Sequence, residues 1–170
     1  KERIEGSLQD VTEKVKATDR LHFLAEHDPL TGILNRRGIE KEFDEAVAML
    51  GDGVSMSLAY LDLDRFKLIN DLFGHLAGDE VLKQVCERVR NMLTEGQSMG
   101  RVGGDEFVIV FKGTPIDSAA WVCRGIVDRI GNLPYQIGDR AFQVKGSIGL
   151  MEISESIRVK DAISVADRAC

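Results

Sequence analysis

The chain has 170 residues, 44% of them apolar and 29% charged, with a formal net charge of −6 and three cysteines. This length suffices for one domain with a sizeable core and a short appendage, and the acidic balance offers no basic surface for nucleic acid. No apolar run could span a bilayer, no signal peptide opens the chain and the cysteines lack metal-ligand spacing. We therefore expect a cytoplasmic domain, whether or not its parent protein is anchored in a membrane.

Residues 1–27 are predicted to form a helix with a seam of residues at spacings of three and four. The seam positions are Leu8, Val11, Val15, Thr18, His22 and Ala25. Such a seam has two explanations: the helix lies on its own domain, or it pairs with a second copy as a parallel two-stranded stalk. Polar Thr18 and His22 weaken a coiled coil, and a weak coil suits a signalling linker that has to shift.

The segment from His27 to Gly38 breaks the helix, because Asp28-Pro29 disfavours helical backbone and Gly32 permits a turn. Asn35 can cap a second helix from about Arg36 to Leu50. Its buried face would carry Ile39, Phe43, Val47 and Leu50. On these residues alone, the segment is a connector between two helices.

A buried strand from Val54 to Leu63 comes next and ends in Asp62-Leu63-Asp64. Acids at the end of a buried strand are costly unless they are paired or bind a cation. Asp-x-Asp alone is solvated more often than catalytic, but a second acidic turn further along the chain favours a divalent metal site. A helix with apolar residues at Val81, Leu82, Val85 and Val89 follows, to about Leu93. As structural residues, Asp79 would cap this helix and Asn70 would be a capping amide.

The stretch from Met99 to Phe111 places Gly103-Gly104-Asp105-Glu106 between two apolar runs. It predicts a tight hairpin, because glycine adopts positive φ without steric cost. Asp105 and Glu106 would then lie at a rigid turn that a ligand can approach closely. A cation would relieve the repulsion between the two carboxylates, and a solvated hairpin is the alternative.

The remaining pattern predicts a helix from Pro115 to Ile130, with Trp121 covering the helix–sheet edge. Two strands follow, Tyr135 to Ile137 and Ala141 to Ile153, and a last helix begins at Val159. Cys86 and Cys123 lie in helical segments and are expected to be small core residues.

Several ordered motifs resemble the GGDEF family, the diguanylate cyclases. They are Asp28 to Arg37, Asp62 to Leu82, Arg101 to Phe107, Lys145 to Leu150 and Ala166 to Cys170. The resemblance implies a palm-like α+β nucleotide cyclase fold, with a mainly antiparallel central sheet flanked by helices. Residues 1–27 would be a linker or stalk helix at the end of an upstream PAS-type sensor, which Asp10-Val11-Thr12-Glu13 resembles. Residues 28–170 would be the GGDEF domain, truncated in its last helix.

The implied reaction condenses two GTP into cyclic di-GMP and two pyrophosphates, in a homodimer whose domains each hold one GTP. Mg²⁺ or Mn²⁺ would be bound by Asp62, the Leu63 carbonyl, Asp105 and Glu106. Asp105 or Glu106 would help deprotonate the ribose 3′-hydroxyl. Because neighbours on a strand face opposite ways, we favour Asp105 as ligand and base, with Glu106 as the second ligand.

The same resemblance assigns residues to the nucleotide. Asn70 and Asp79 would bind guanine, whose N1 and N2 donate to a carboxylate, and His75 would lie near the nucleotide. Phe66 and Lys67 would form a short turn over the β- and γ-phosphates, where Lys67 contributes charge to catalysis.

The chain also departs from the family pattern. Thr94 and Gln97 replace the arginine and aspartate of the family's product-inhibition site, so we predict that this site is absent. The phosphate-binding lysine and arginine of the last motif would follow residue 170, and we expect their contacts to be missing from this chain. An alternative function is a non-catalytic GTP-binding module that controls an adjacent downstream phosphodiesterase domain. A purely structural dimerisation fragment would leave the acidic cluster unexplained.

Overall fold

The structure is a computed structural model that describes the backbone of residues 2–170 and the side chains of residues 8–170, so predictions for Lys1 lie outside the described residues. The helices are α1 (Glu2–Glu26), α2 (Arg36–Ala48), α3 (Phe66–Phe73), α4 (His75–Arg90), α5 (Ile116–Gly131) and α6 (Val159–Ala169). The strands are β1 (Met56–Leu63), β2 (Gln97–Arg101), β3 (Glu106–Phe111), β4 (Tyr135–Ile137), β5 (Arg140–Phe142) and β6 (Gly146–Ile153).

The central sheet has the strand order β2-β3-β1-β6, and each neighbouring pair is antiparallel. β1 lies in the middle, with Asp62 opposite Glu106 of β3 and opposite Ser147 of β6. Central strands covered on both faces require continuous apolar runs, which β1 and β3 have. The predicted α+β fold with an antiparallel central sheet is confirmed.

Helices cover both faces of this sheet, because alternate residues of each strand point to opposite sides. On one face α4 and α5 pack against the odd-numbered residues of β1 and β3, among them Leu61 and Phe107. Cys86 and Cys123 belong to this core, as predicted, and burial raises the pKa of each thiol to about 12. On the other face α2 and α6 pack against the even-numbered residues, such as Leu58.

Helix α1 extends from the domain instead of lying along it. Leu8, Val11 and Val15 are 63%, 56% and 53% exposed, so the first of the two explanations for the seam, packing on its own domain, is wrong, and pairing with a second copy stays a prediction. Only its end is held closely: a Cβ at Gly38 would collide with the Glu26 carbonyl oxygen, so glycine is needed where α2 meets α1. Asn35 caps α2 as predicted, accepting a hydrogen bond from the Gly38 N–H at 2.9 Å.

Several predicted boundaries are wrong. Helix α4 begins at His75 instead of Val81, so Asp79 lies inside the helix and cannot cap it. The single strand predicted over residues 141–153 is two strands, because β5 pairs with β4 in a separate small sheet while β6 joins the central one. Trp121 is 75% exposed and covers no sheet edge, because it lies on the face of α5 opposite the buried Ala119 and Cys123.

Within residues 2–170, none of the helices is both long and apolar enough to cross a membrane.

Candidate active site

The acidic residues predicted to act together meet at one end of the central sheet. Asp62 on β1 is paired in register with Glu106 on β3, and the Leu63 N–H points to the Asp105 carbonyl oxygen at 3.4 Å. Asp64 follows β1 at the same end, where the Ser147 hydroxyl donates to its carboxylate at 2.9 Å. The antiparallel pairing of β1 with β3 thus joins two motifs that are far apart in the chain.

The pKa of Asp62 reflects this concentration of negative charge. Partial burial raises the pKa of Asp62, and the neighbouring carboxylates of Asp105, Glu106 and Asp64 raise it further. Burial and like charges both disfavour the ionised form of a carboxyl group. A bound cation would reverse both effects, so the chemistry of these oxygen donors suits a hard divalent ion.

Tyr60 is a site residue that the sequence interpretation missed. It lies two residues before Asp62 on the same face of β1, it is buried, and its hydroxyl hydrogen-bonds the Glu106 carboxylate. Burial and this hydrogen bond raise the pKa of Tyr60 well above its usual range, so the phenol stays a neutral donor to Glu106. The period-2 alternation of β1 was the available signal, because it puts residues 60 and 62 on one face.

The donor set is open and does not form a closed metal cage. Among the residues that the structure describes, no three side chains from His, Cys, Asp and Glu converge tightly enough to enclose an ion by themselves. Mg²⁺ in nucleotide enzymes is usually held by one or two carboxylates, with water and substrate phosphates completing the shell. The residues present therefore fit an ion that binds together with a triphosphate.

The hairpin between β2 and β3 is wider than predicted. The strands are paired up to Arg101 and Phe107, and the Val102 N–H closes the loop by donating to the Glu106 carbonyl at 2.9 Å. Neither Gly103 nor Gly104 has the positive φ that we expected. Gly103 is required for space instead, because a Cβ there would collide with the Glu106 carboxylate.

The predicted guanine-binding residues lie on two packed helices, α3 and α4. A Cβ at Gly78 of α4 would collide with the Asn70 Oδ1, so Asn70 of α3 rests directly against the backbone next to Asp79. Both residues are partly exposed and available to a ligand, and His75 is exposed at the start of α4. The structure thus brings Asn70 and Asp79 together, while their role in binding a base stays a prediction.

Phe66 and Lys67 do not form the short turn that was expected. They are the first residues of α3, which follows Arg65 in left-handed backbone (φ 57°). Phe66 is buried and Lys67 is exposed. A helix start still presents N–H groups without intrahelical partners and can bind an anion, so the predicted phosphate contact remains compatible with a different local structure.

Thr94 precedes β2 and Gln97 is the first residue of that strand, and the Thr94 N–H donates to the Gln97 Oε1 at 3.0 Å. The absence of a product-inhibition site at this turn stays a prediction.

Comparison with known proteins decides the family. The family described as "Diguanylate cyclase, GGDEF domain" matches residues 25–170. This chain belongs to the GGDEF family. The GGDEF domain is 30% identical to the diguanylate cyclase DgcP of Pseudomonas aeruginosa over 180 residues, which cover 99% of this chain and 27% of that protein. It is 34% identical to the bifunctional diguanylate cyclase/cyclic di-GMP phosphodiesterase MucR of the same species over 140 residues, 82% of this chain and 20% of MucR.

Among solved structures, the diguanylate cyclase SiaD of Pseudomonas aeruginosa, crystallised with its activator SiaC, superposes on the GGDEF domain with a TM-score of 0.80 at 30% identity. The match covers 99% of this chain and 69% of the SiaD chain. The chain spans only about a quarter of the length of DgcP and a fifth of the length of MucR.

Proposed function

We propose that this GGDEF domain is a diguanylate cyclase, which condenses two GTP into cyclic di-GMP and two pyrophosphates when two copies meet. The observation that carries the proposal is the convergence of Asp62, Asp105 and Glu106 at the end of β1 and β3. The names of DgcP and SiaD support the same reaction by family likeness.

The metal ion is part of the proposal. The carboxylates of Asp62, Asp105 and Glu106, with the Leu63 carbonyl, would hold Mg²⁺ or Mn²⁺. When bound, such an ion neutralises phosphate charge and makes a coordinated hydroxyl more acidic.

The side chains of the acidic end supply the proton chemistry. Asp105 accepts the proton of the ribose 3′-hydroxyl. The 3′-oxygen then bonds to the α-phosphorus of the other GTP as the bond to the pyrophosphate oxygen breaks. Two such steps close the ring and release two pyrophosphates. The hydrogen bond from Tyr60 helps to orient the Glu106 carboxylate.

The helices α3 and α4 supply recognition. Asp79 accepts from guanine N1 and N2, and Asn70 serves the other polar atoms of the base. A site that satisfies these groups discriminates strongly against a base that lacks them. At the start of α3, the backbone N–H groups and the Lys67 ammonium bind the β- and γ-phosphates.

Two domains are required because each holds one GTP, and α1 would bring them together. Its seam residues are exposed on the isolated chain and free to pair with a second copy: Leu8, Val11, Val15, Thr18, His22 and Ala25. A parallel stalk would raise the effective concentration of one half-site at the other. A PAS-type sensor upstream of this stalk is part of the same proposal.

A second function is considered because MucR, a relative at 34% identity, is named as a bifunctional cyclase and phosphodiesterase, so a domain of this family can share a chain with a phosphodiesterase. In a chain of that kind, this domain could bind GTP without turnover and regulate its neighbour.

Replacing Asp105 by Ala distinguishes these functions. For a cyclase, we expect product formation to fall by roughly two or more orders of magnitude, as for loss of a catalytic base. Asp139→Ala, at the exposed turn between β4 and β5, is the matched control and should keep full turnover. For a regulatory module, wild type gives no product and Asp105→Ala weakens only metal-dependent GTP binding. If the wild-type chain forms no product and Asp105→Ala leaves GTP binding unchanged, both functions are contradicted.

A further inference from the structure

Arg101, the last residue of β2, holds the turn that carries the acids. Its Nε donates to the carbonyl oxygens of Gly103 and Gly104 at 3.1 and 3.0 Å, and its Nη2 donates to Gly104 at 2.8 Å. These are the two residues immediately before Asp105. A guanidinium group is planar and presents its donors in a rigid fork. It therefore fixes the direction in which the backbone enters Asp105.

The other side of the guanidinium is held by Asp28. The Arg101 Nη1 lies 3.4 and 3.3 Å from the two Asp28 carboxylate oxygens. Asp28 is itself fixed, because it accepts from the Thr31 N–H at 3.0 Å and from the Thr31 hydroxyl at 2.6 Å. The side chains of Arg101 and Asp28 are only 19% and 16% exposed, so solvent screens their attraction less than that of a surface pair.

We propose that Arg101 is a positioning residue for the cyclase reaction, and that Asp28 makes the position of the turn depend on the end of α1. The inference rests on the proposed function, because the group being positioned is the Asp105 carboxylate. Asp28 follows the last residue of α1, Glu26, by two residues. If the stalk moves, the Asp28 carboxylate moves with it and shifts the Arg101 guanidinium. Arg101 in turn shifts the Gly103 and Gly104 carbonyls, which precede Asp105.

A second ion pair at the same junction provides the matched control. Lys41 of α2 binds Glu26 at 3.1 Å, which ties the end of α1 to the body of the domain. This pair is more exposed, at 58% and 37%, and Lys41 makes no contact with the hairpin turn among the described hydrogen bonds. Lys41→Gln removes this exposed ion pair, which contributes little to stability, and leaves the contacts of Asp28 and Arg101 in place.

The first test is the steady-state kinetics of Arg101→Lys, Asp28→Asn and Lys41→Gln. Lysine keeps the charge but cannot bind Asp28 and both carbonyls at once. We expect kcat of Arg101→Lys to fall roughly 10- to 100-fold, the cost of misplacing a reacting group by about 1 Å, with KM for GTP within about threefold. Asp28→Asn should show a smaller fall in kcat. Lys41→Gln should keep the kcat and KM of the wild type.

The second test needs no turnover. The amides of Val102 and Gly103 donate to the Glu106 carbonyl at 2.9 and 3.3 Å and report on the closed turn. In Arg101→Lys and Asp28→Asn, hydrogen exchange of these amides should be about tenfold faster, because exchange measures local opening. In Lys41→Gln it should be unchanged.

The two tests separate the inference from the proposed function. A wild-type chain that makes no product would overturn the proposed function, while the exchange rates would still decide whether Arg101 fixes the turn. Unchanged exchange in both turn variants would overturn the inference whatever the activity, as would an equal loss of kcat in Lys41→Gln. If Arg101→Lys does not fold, Asp28→Asn decides by the same two readouts.

Discussion

At the scale of single residues, the acidic end of the sheet concentrates negative charge, which is unfavourable in the free protein and which a bound cation would offset. Asp62 is partly buried beside three other carboxylates, which raises its pKa. A raised carboxyl pKa means that the folded state binds a proton more tightly than the unfolded state does. The folded protein therefore loses stability as the pH rises from the pKa of the unfolded chain to that of the folded one.

Asp62→Asn tests this electrostatic cost. In metal-free protein, we expect the variant to match wild type at the acidic end of this window and to become the more stable of the two as the pH rises above it. The physical reason is that asparagine removes one of the repelling charges. Urea unfolding of both proteins across the acidic pH range, without Mg²⁺, measures the difference. If the stability advantage of Asp62→Asn does not grow with pH, burial and the neighbouring carboxylates are not the cause of the raised Asp62 pKa.

Tyr60→Phe tests the hydrogen bond that orients Glu106. A hydrogen bond to a charged group contributes about 1.5–3 kcal/mol, so we expect kcat to fall roughly tenfold while the fold is kept. Tyr135→Phe is the matched control, because the Tyr135 hydroxyl donates to the Ile130 carbonyl at 2.8 Å in the core beneath α5. Turnover at saturating GTP, measured beside melting temperature, compares the two. Equal losses of kcat in both variants would rule out a specific role for Tyr60.

At the scale of elements, the close packing of α3 on α4 places Asn70 beside Asp79, the two residues proposed to bind the base. Gly78 has no room for a side chain because the Asn70 amide occupies the space. A methyl group at residue 78 would have to displace Asn70, even though alanine is the better helix former. Under the proposed function, this glycine serves recognition by keeping Asn70 in place.

Gly78→Ala should accordingly raise KM for GTP roughly tenfold and reduce the preference for GTP over ATP, because a site that loses one guanine partner discriminates less. Gly131→Ala, at the end of α5, is the control, since a Cβ there meets only ordinary contacts at 3.9 and 4.0 Å. GTP titrations with ATP as competitor measure both effects. An unchanged KM for GTP in Gly78→Ala would show that Asn70 does not contribute to binding the base.

The elements that depend on local sequence patterns were predicted better than those that depend on packing between distant parts of the chain. The cap at Asn35 and the strand ending at Leu63 depend on local patterns and were predicted to within a few residues. The start of α4 was missed, because Gly74 and Gly78 both look like helix breakers. Gly74, with a φ of 88°, does separate α3 from α4, whereas Gly78 lies inside α4 and packs closely against Asn70. The break between β5 and β6 depends on which sheet each strand joins, and no local pattern encodes that choice.

The site was predicted in the same uneven way. Contiguous motifs predicted Asp62, Asp105 and Glu106, which the structure places at one end of β1 and β3, while their role stays a prediction. The contribution of Tyr60 arises from pairing between β1 and β3, and that of Arg101 from contacts with Asp28, 73 residues away in the chain. Such long-range contacts have no signature in one sequence without knowledge of the fold.

At the scale of the whole molecule, the exposed seam of α1 predicts that activity depends on association. Val15→Asp places a charge in the seam and should raise the protein concentration needed for half-maximal specific activity by roughly tenfold or more, with the maximum itself recovered at high concentration. Lys16→Glu changes charge at the neighbouring exposed position outside the seam and should leave this concentration almost unchanged. Specific activity measured over a dilution series distinguishes them. Identical curves for all three proteins would show that the seam does not join the two domains.

The most direct measurement of the central claim is the product formed from GTP and Mg²⁺ by the wild-type chain at high protein concentration. We predict cyclic di-GMP, with two pyrophosphates released for each molecule, and a rate per chain that rises with protein concentration because two half-sites must meet. Binding of GTP without any cyclic product under these conditions would contradict the account and leave a GTP-binding regulatory domain.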